Sequence, residues 1–161
     1  MRKAIMVALE TPICEFGKIA PDFSLTDCFG KTLSLEQCRG DKGTLIMFIC
    51  NHCPFVQAII EPLCKVVREL ENYGIKTVAI MANEQSKYPA DSTENMQLLA
   101  TKLNFSFPYL VDETQAIAKA YGAICTPDFF GYNKDLQLQY RGRFNATGPK
   151  NSTCGYAMRP I

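Results

Sequence analysis

The sequence predicts one α/β domain in which a mixed central β-sheet is flanked by helices. Unbroken apolar runs at residues 44–49 and 75–81 are typical of central strands that are buried on both faces. The stretch between them has apolar residues at helical spacing, so the three segments predict a parallel βαβ unit with a right-handed crossover. Residues 128–132 and 136–140 flank a turn and predict an antiparallel hairpin that closes the sheet.

The amino-terminal part predicts a β-hairpin. Residues 20–26 and 31–35 alternate in polarity and flank the turn-like segment 27–30. The long helix of the βαβ unit is predicted to begin near Pro54, because proline is tolerated in the first turn, and to end at Gly74.

The remaining predicted elements are a helix, a short strand and a short helix, at residues 92–103, 109–111 and 114–121. After Arg143 no helical or strand periodicity is left. We therefore predict a single domain over residues 1–161, with a core at about residues 18–143 and an irregular tail at residues 144–161.

The composition excludes several classes of function. Seventeen basic and sixteen acidic residues leave a net charge of +1, which offers no electrostatic footprint for nucleic acid or an anionic membrane. No apolar run approaches the ~18 residues that span a bilayer. The apolar run at residues 4–9 is shorter than the usual signal-peptide core of ~7–15 residues. The sequence therefore predicts a cytoplasmic protein without membrane or nucleic-acid partners.

The eight cysteines contain one closely spaced pair, Cys50 and Cys53. A structural zinc site normally needs two close pairs of ligands, and His52 is the sole histidine of the sequence. We therefore expect no metal site and no cofactor. Most of the other cysteines are predicted to be small buried hydrophobic residues, as is usual in a reducing compartment.

Cys50 and Cys53 occupy the predicted turn between a buried strand and the long helix. Their spacing lets the two sulfurs form a disulfide without a large backbone movement. The amino terminus of the helix supplies free N–H groups and a partial positive charge, which favour a thiolate at Cys50. Because a thiolate is the attacking species in thiol–disulfide exchange, the motif predicts a redox-active pair. His52, between the cysteines, can stabilise the Cys50 thiolate further.

A second candidate element lies at Thr126 and Pro127, just before a predicted strand. An X-Pro bond that enters a sheet can be cis, which bends the backbone sharply. The unpaired backbone groups of Thr126 could then bind an extended substrate chain. The neighbouring Cys125 is predicted to pack at the start of the strand, and a third redox thiol is the alternative.

The residues that carry a family resemblance include two specific motifs, Cys50-Asn51-His52-Cys53-Pro54-Phe55-Val56 and Tyr121-Gly122-Ala123-Ile124-Cys125-Thr126-Pro127-Asp128. Residues 20–25, 88–96 and 107–112 support it. Over about residues 18–143, the chain resembles the alkyl hydroperoxide reductase/thiol-specific antioxidant (AhpC/TSA, or redoxin) superfamily in its peroxiredoxin-like subgroup. The resemblance implies a thioredoxin-like fold.

Two chemistries occur in this superfamily, and the resemblance maps both onto this chain. In thioredoxins the first cysteine attacks and the second resolves, which would make Cys50 the nucleophile and Cys53 the resolving thiol. Peroxiredoxins use a peroxidatic cysteine at the Cys53 position, with a hydroxyl residue three positions earlier and a later arginine. Here Cys50 stands in the hydroxyl position, and Thr126-Pro127 occupies the later region. Thioredoxin-type exchange is therefore favoured.

The predicted function is thiol–disulfide oxidoreductase, with thiol peroxidase through Cys53 as the first alternative. An alternative of another class is a soft-metal carrier, for instance of copper, that uses both thiolates and His52. The expected partners are a disulfide-containing protein or a small thiol or peroxide, and a reductant such as thioredoxin or glutathione. The buried acid of thioredoxin corresponds to Thr44 here, so the resemblance supplies no proton acceptor for the resolving thiol.

Overall fold

The computed structural model describes residues 14–144 and the short strand at residues 156–157. The predictions for residues 4–9 and for the rest of the tail therefore lie outside the described residues. In the part of the chain that is described, no helix has the length and apolar character needed to cross a bilayer.

The described elements are, in chain order, β1 (Ser24–Asp27), β2 (Thr32–Ser34), α1 (Leu35–Cys38), β3 (Gly43–Phe48), α2 (Pro54–Glu71), β4 (Ile75–Met81), a 3-10 helix (Pro89–Asp91), α3 (Thr93–Lys102), β5 (Tyr109–Val111), α4 (Ala116–Tyr121), β6 (Cys125–Thr126), β7 (Asp128–Asn133), β8 (Leu138–Gly142) and β9 (Tyr156–Ala157).

Seven of these strands form one mixed sheet in the order β2-β1-β5-β4-β3-β7-β8. β3 pairs in parallel with β4, and β4 with β5, whereas β7 runs antiparallel to β3 and to β8. β1 and β2 form the predicted amino-terminal hairpin. β1 begins at Ser24 and not at residue 20, because the N–H group of Ala20 donates to the carbonyl of Leu136, outside the hairpin. The predicted mixed sheet is confirmed.

Helices cover both faces of the sheet because the central strands alternate between two cores. Met47, Ala79 and Met81 face the core that contains α2 and α3, where Val56, Leu63 and Met96 are buried. Ile46, Phe48, Val78 and Ile80 face the core that contains α1 and α4, where Leu35, Ala118 and Tyr121 are buried. A strand that is buried on both faces reads as a continuous apolar run, which is why β3 and β4 were predictable. These two cores hold the end of β3 and the start of α2 in place.

The structure differs from the predicted irregular tail at one point. Residues Tyr156–Ala157 form β9, which pairs antiparallel with β6 in the register Cys125↔Ala157 and Thr126↔Tyr156. A strand of two residues is too short to show a period of two in the sequence, and its pairing partner lies far away along the chain.

A candidate redox site at the start of helix α2

Cys50 and Cys53 lie where the central strand β3 gives way to helix α2. β3 ends at Phe48, and Cys53 is the N-cap of α2, followed by Pro54 in the first turn. Both cysteines are buried, with 1% and 2% of their surface exposed, and both are free thiols. The predicted pair therefore lies at the carboxyl end of a buried parallel strand, where α/β folds commonly place their sites.

The interaction between the two thiols lowers the pKa of one and raises the pKa of the other. The bond from the Cys50 thiol lowers the pKa of Cys53 to about 6, and the backbone N–H groups of Phe55 and Val56 at the start of α2 lower this pKa further. The same bond raises the pKa of Cys50 well above its usual range, and burial and the negative charge of Asp91 act in the same direction. Of the two thiols, Cys53 thus has the lower pKa.

The position of the helix terminus differs from the expectation that its N–H groups act on Cys50. The N-cap of α2 is Cys53, so the free N–H groups of the first turn act on the Cys53 sulfur. The two backbone N–H groups that follow Cys50 donate instead to a carboxylate oxygen of Asp91, at 2.7 and 3.1 Å.

Thr126 contacts both sulfurs from the opposite side. Its hydroxyl oxygen lies 3.5 Å from Cys50 Sγ, and its carbonyl oxygen accepts from the Cys53 thiol at 3.3 Å. The Thr126–Pro127 peptide bond is cis. The structure therefore brings the predicted platform against the predicted redox pair, although the two segments are separated by more than 70 residues.

His52 lies beside the pair and is held by residues that the sequence analysis did not identify. Its Nδ1 donates to Asp91 Oδ2 at 2.5 Å, and its ring stacks on Tyr88 with centroids 4.9 Å apart and planes 6° apart. Asp91 and Tyr88 belong to the segment 88–96, which supported the family resemblance but had no assigned role. Nothing in the local pattern indicates that Asp91 is buried beneath a turn 39 residues earlier in the chain.

Asn51 completes the fixing of the turn. Its side-chain amide donates to the carbonyl of Ala90 at 3.1 Å, and its side-chain oxygen accepts from the hydroxyl of the buried Tyr109 at 3.1 Å. The side chain of Gln57 in α2 donates to the Asn51 carbonyl at 2.9 Å. The turn is therefore attached to β5, to α2 and to the 3-10 helix.

Cys125 lies next to Thr126 and is buried. It is 3% exposed, and its thiol contacts the carbonyl of Pro127 at 3.8 Å. Successive side chains of a strand point to opposite faces. Because the Thr126 side chain contacts Cys50, the Cys125 side chain belongs to the opposite face. This geometry supports packing as the role of Cys125. Burial also raises the pKa of Cys28 and of Cys38 to about 11, which disfavours their thiolate forms.

One group of side chains has the chemistry to hold a metal ion. Cys50 Sγ, a ring nitrogen of His52 and a carboxylate oxygen of Asp91 all lie within 4.8 Å of one another. The Asp91 carboxylate, however, already accepts four hydrogen bonds, two at each oxygen, and a metal ion would have to displace some of them.

Comparison with known proteins identifies the family. The sequence model of the AhpC/TSA family matches residues 16–144. The chain belongs to this family. A crystal structure of an uncharacterized conserved protein from Geobacillus kaustophilus is 45% identical, with a TM-score of 0.87, and the alignment covers 91% of this chain and 78% of that one.

Two further proteins are similar over most of this chain. "Thiol-disulfide oxidoreductase ResA" of Bacillus thuringiensis subsp. konkukian is 27% identical over 121 residues, which are 75% of this chain and 65% of ResA. The chain thus spans just under two thirds of the length of that relative. The thioredoxin domain of a thiol-disulfide oxidoreductase from Bacteroides vulgatus is 14% identical with a TM-score of 0.66, covering 81% of this chain and 90% of that domain. This likeness shows the thioredoxin-like fold.

Proposed function

We propose that the chain is a thiol–disulfide oxidoreductase that works through Cys50 and Cys53. The observation that carries this proposal is the pair of free, buried thiols at the start of α2, with Thr126 in contact with both sulfurs. The ResA relatives, which are named thiol-disulfide oxidoreductases, support the same class of activity. The identities of its substrate and its reductant are also part of what we propose.

The position of Cys53 as the N-cap of α2, together with its lowered pKa, favours an order for the two steps. The Cys53 thiolate attacks one sulfur of a partner disulfide, a Cys53–partner bond forms, and the other partner sulfur leaves as a thiolate. Cys50 then loses its proton and attacks Cys53, which forms the Cys50–Cys53 disulfide and releases the second partner thiolate. The partner gains two electrons, and the pair loses two. This order reverses the one that the resemblance to thioredoxin implies.

The edge of β6 fits a protein partner in extended conformation. In the structure this edge accepts β9 as an antiparallel neighbour, with Thr126 paired to Tyr156. A substrate strand on the same edge would place its disulfide next to the Thr126 hydroxyl and thus next to both sulfurs. We therefore propose a disulfide-bonded protein segment as the substrate, and thioredoxin or glutathione as the reductant that returns the pair to its dithiol form. A cytoplasmic location remains a prediction from the sequence.

Turnover and trapping with single cysteine variants test the proposal. Wild type should reduce a protein disulfide at the expense of glutathione, Cys50→Ser and Cys53→Ser should each lose turnover, and the control Cys14→Ser, on the other face of the sheet, should retain it. Because Cys50 is the proposed resolving thiol, Cys50→Ser should accumulate a mixed disulfide with the substrate, and Cys53→Ser should not. Greater accumulation by Cys53→Ser would restore the thioredoxin order, and full turnover by both variants would refute the proposal.

Peroxide reduction is a second candidate function, favoured by the lowered pKa of Cys53 at the start of a helix. The Cys53 thiolate would attack a peroxide oxygen and break the O–O bond, which yields a sulfenic acid and water or an alcohol. The Cys50 thiol would then form the disulfide and release water. Rapid consumption of hydrogen peroxide by a protein that captures no disulfide partner would favour this candidate.

Copper or zinc retained through purification, with neither activity present, would favour the metal carrier.

A further inference from the structure

Residues 122–128 lead from the end of α4 through β6 to the start of β7, and they contain Thr126, which contacts both sulfurs. β6 does not belong to the seven-stranded sheet. In the described part of the chain, its ladder partner is β9 alone. Other contacts are therefore needed to hold the backbone of β6 opposite the cysteines, and Arg141 in β8 makes two of them.

The side chain of Arg141 reaches both ends of residues 122–128. One guanidinium nitrogen, Nη2, donates to the carbonyl of Gly122 at 2.5 Å and to Asp128 Oδ2 at 3.3 Å. Gly122 is the C-cap of α4, and Asp128 is the first residue of β7. Asp128 follows Thr126 by two residues. A single guanidinium thus joins the two ends of the segment that contains Thr126.

The guanidinium of Arg141 is held in place by the sheet beneath it. β8 pairs with β7 in the register Phe130↔Arg141, and the guanidinium carbon lies 4.7 Å from the centroid of the Phe130 ring. The Phe130 ring is buried and packs edge-to-face with Phe48 and with Tyr121. The Arg141 side chain is itself 10% exposed. Arg141 therefore connects the packed core of the sheet with residues 122–128.

The hydrogen bonds of the Arg141–Asp128 ion pair are incomplete. Burial raises the pKa of Asp128 to about 6, and Arg141 acts in the opposite direction, so the carboxylate is charged at pH 7. Asp128 Oδ1 and Arg141 Nε are buried and have no hydrogen-bond partner among the described residues. Such a buried pair adds little net stability, because the desolvation of both ions offsets their attraction. The position that the pair gives to residues 122–128 explains it better than stability does.

We propose that Arg141 and Asp128 are positioning residues that hold the edge of β6 in place for a substrate strand. This inference rests on the proposed exchange function, but it does not depend on which cysteine attacks first. A substrate strand forms main-chain hydrogen bonds with β6, and these bonds bring its disulfide to the sulfurs only if the β6 backbone keeps its position. An edge that is already in place lowers the cost of binding an extended peptide. A substrate that does not pair with β6 gains nothing from the ion pair.

The double variant Arg141→Met with Asp128→Asn tests the inference. It removes both charges, so no buried charge is left unpaired, and the unbranched methionine side chain fills much of the space of the arginine. The oxygen of the introduced amide can still accept from the backbone N–H of Ile124, as Asp128 Oδ2 does at 3.4 Å. The matched control is Arg39→Met with Glu36→Gln, which removes the same two charges from an ion pair at the end of α1.

Two disulfide probes with the same chromogenic aryl thiol separate docking from reaction. In the first, the aryl thiol is joined to a linear peptide that can pair with β6, and the second is the symmetrical aryl disulfide, which has no backbone. Aryl-thiol release is measured against the concentration of reduced protein in excess. With the peptide probe, half-saturation of the double variant should need about fivefold more protein, the effect of one lost backbone hydrogen bond. Its rate with the aryl probe should stay within about twofold of wild type, because the thiol contacts of Thr126 are weak.

Each other outcome separates the two proposals. If reduced wild type releases aryl thiol from neither probe, the exchange function fails. If wild type reacts, and the double variant matches it with the peptide probe or loses rate equally with both probes, this inference alone fails. An equal loss in the control double variant would also overturn it.

Should the double variant not fold, Arg141→Lys decides, because lysine does not replace arginine at a stacked site. This variant should also need more protein for half-saturation with the peptide probe and not with the aryl probe. A wild-type value with the peptide probe would overturn the inference.

Discussion

At the scale of single residues, the site depends on which sulfur carries the negative charge. The N–H groups of the first turn of α2 act on Cys53, the N-cap, while Asp91 takes the two N–H groups that follow Cys50. If α2 began one residue earlier or later, these backbone N–H groups would donate to different acceptors. The spacing of the motif predicts the pair, but the donors at each sulfur are apparent only when the bounds of the helix are known.

The pH dependence of alkylation should report this difference between the two thiols. Cys53 has a pKa lowered to about 6, so its rate of modification by a small alkylating agent should rise from pH 5 and level off above about pH 7. Cys50 should react slowly throughout this range, because its pKa is raised. Mass spectrometry of the alkylated peptides measures both rates. Faster labelling of Cys50 at pH 6 would reverse the assignment.

At the scale of elements, local patterns predicted most of the fold, and contacts between distant segments account for what was missed. The central strands were predictable from continuous apolar runs, and α2 from apolar residues at helical spacing. In both cases the pattern lies within the segment itself. α4 begins at Ala116 and not at residue 114, because Gln115 adopts a left-handed conformation with φ of 61°. β9 and the role of the 3-10 helix were missed, because each depends on a partner far along the chain.

β9 should compete with a substrate strand for the edge of β6. The double change Tyr156→Pro and Ala157→Pro removes both N–H groups of β9 and should release this edge, since proline cannot donate to a strand ladder. The KM for a protein disulfide should fall roughly fivefold, the scale of one net backbone hydrogen bond of about 1 kcal/mol. The control Tyr156→Phe with Ala157→Ser keeps both N–H groups. Equal KM values for the two double variants would show that β9 does not compete.

At the scale of the whole molecule, the fold brings three distant segments to one point. The turn between β3 and α2 contains the two cysteines, the 3-10 helix contains Asp91, and β6 contains Thr126. The two specific sequence motifs account for the first and the third of these segments, which is why the candidate pair and its platform were predictable. The second segment had only a supporting similarity, and its contribution required the structure.

The most direct test of the central proposal is the redox equilibrium of the Cys50–Cys53 pair in glutathione mixtures, with the disulfide mapped by mass spectrometry. We predict one reversible two-electron transition to a Cys50–Cys53 disulfide. Because the donors at Cys53 favour the reduced form, the midpoint should be less negative than the ~−270 mV of thioredoxin. A pair that forms no disulfide in any mixture, or a bridge from either cysteine to Cys125, would contradict the account.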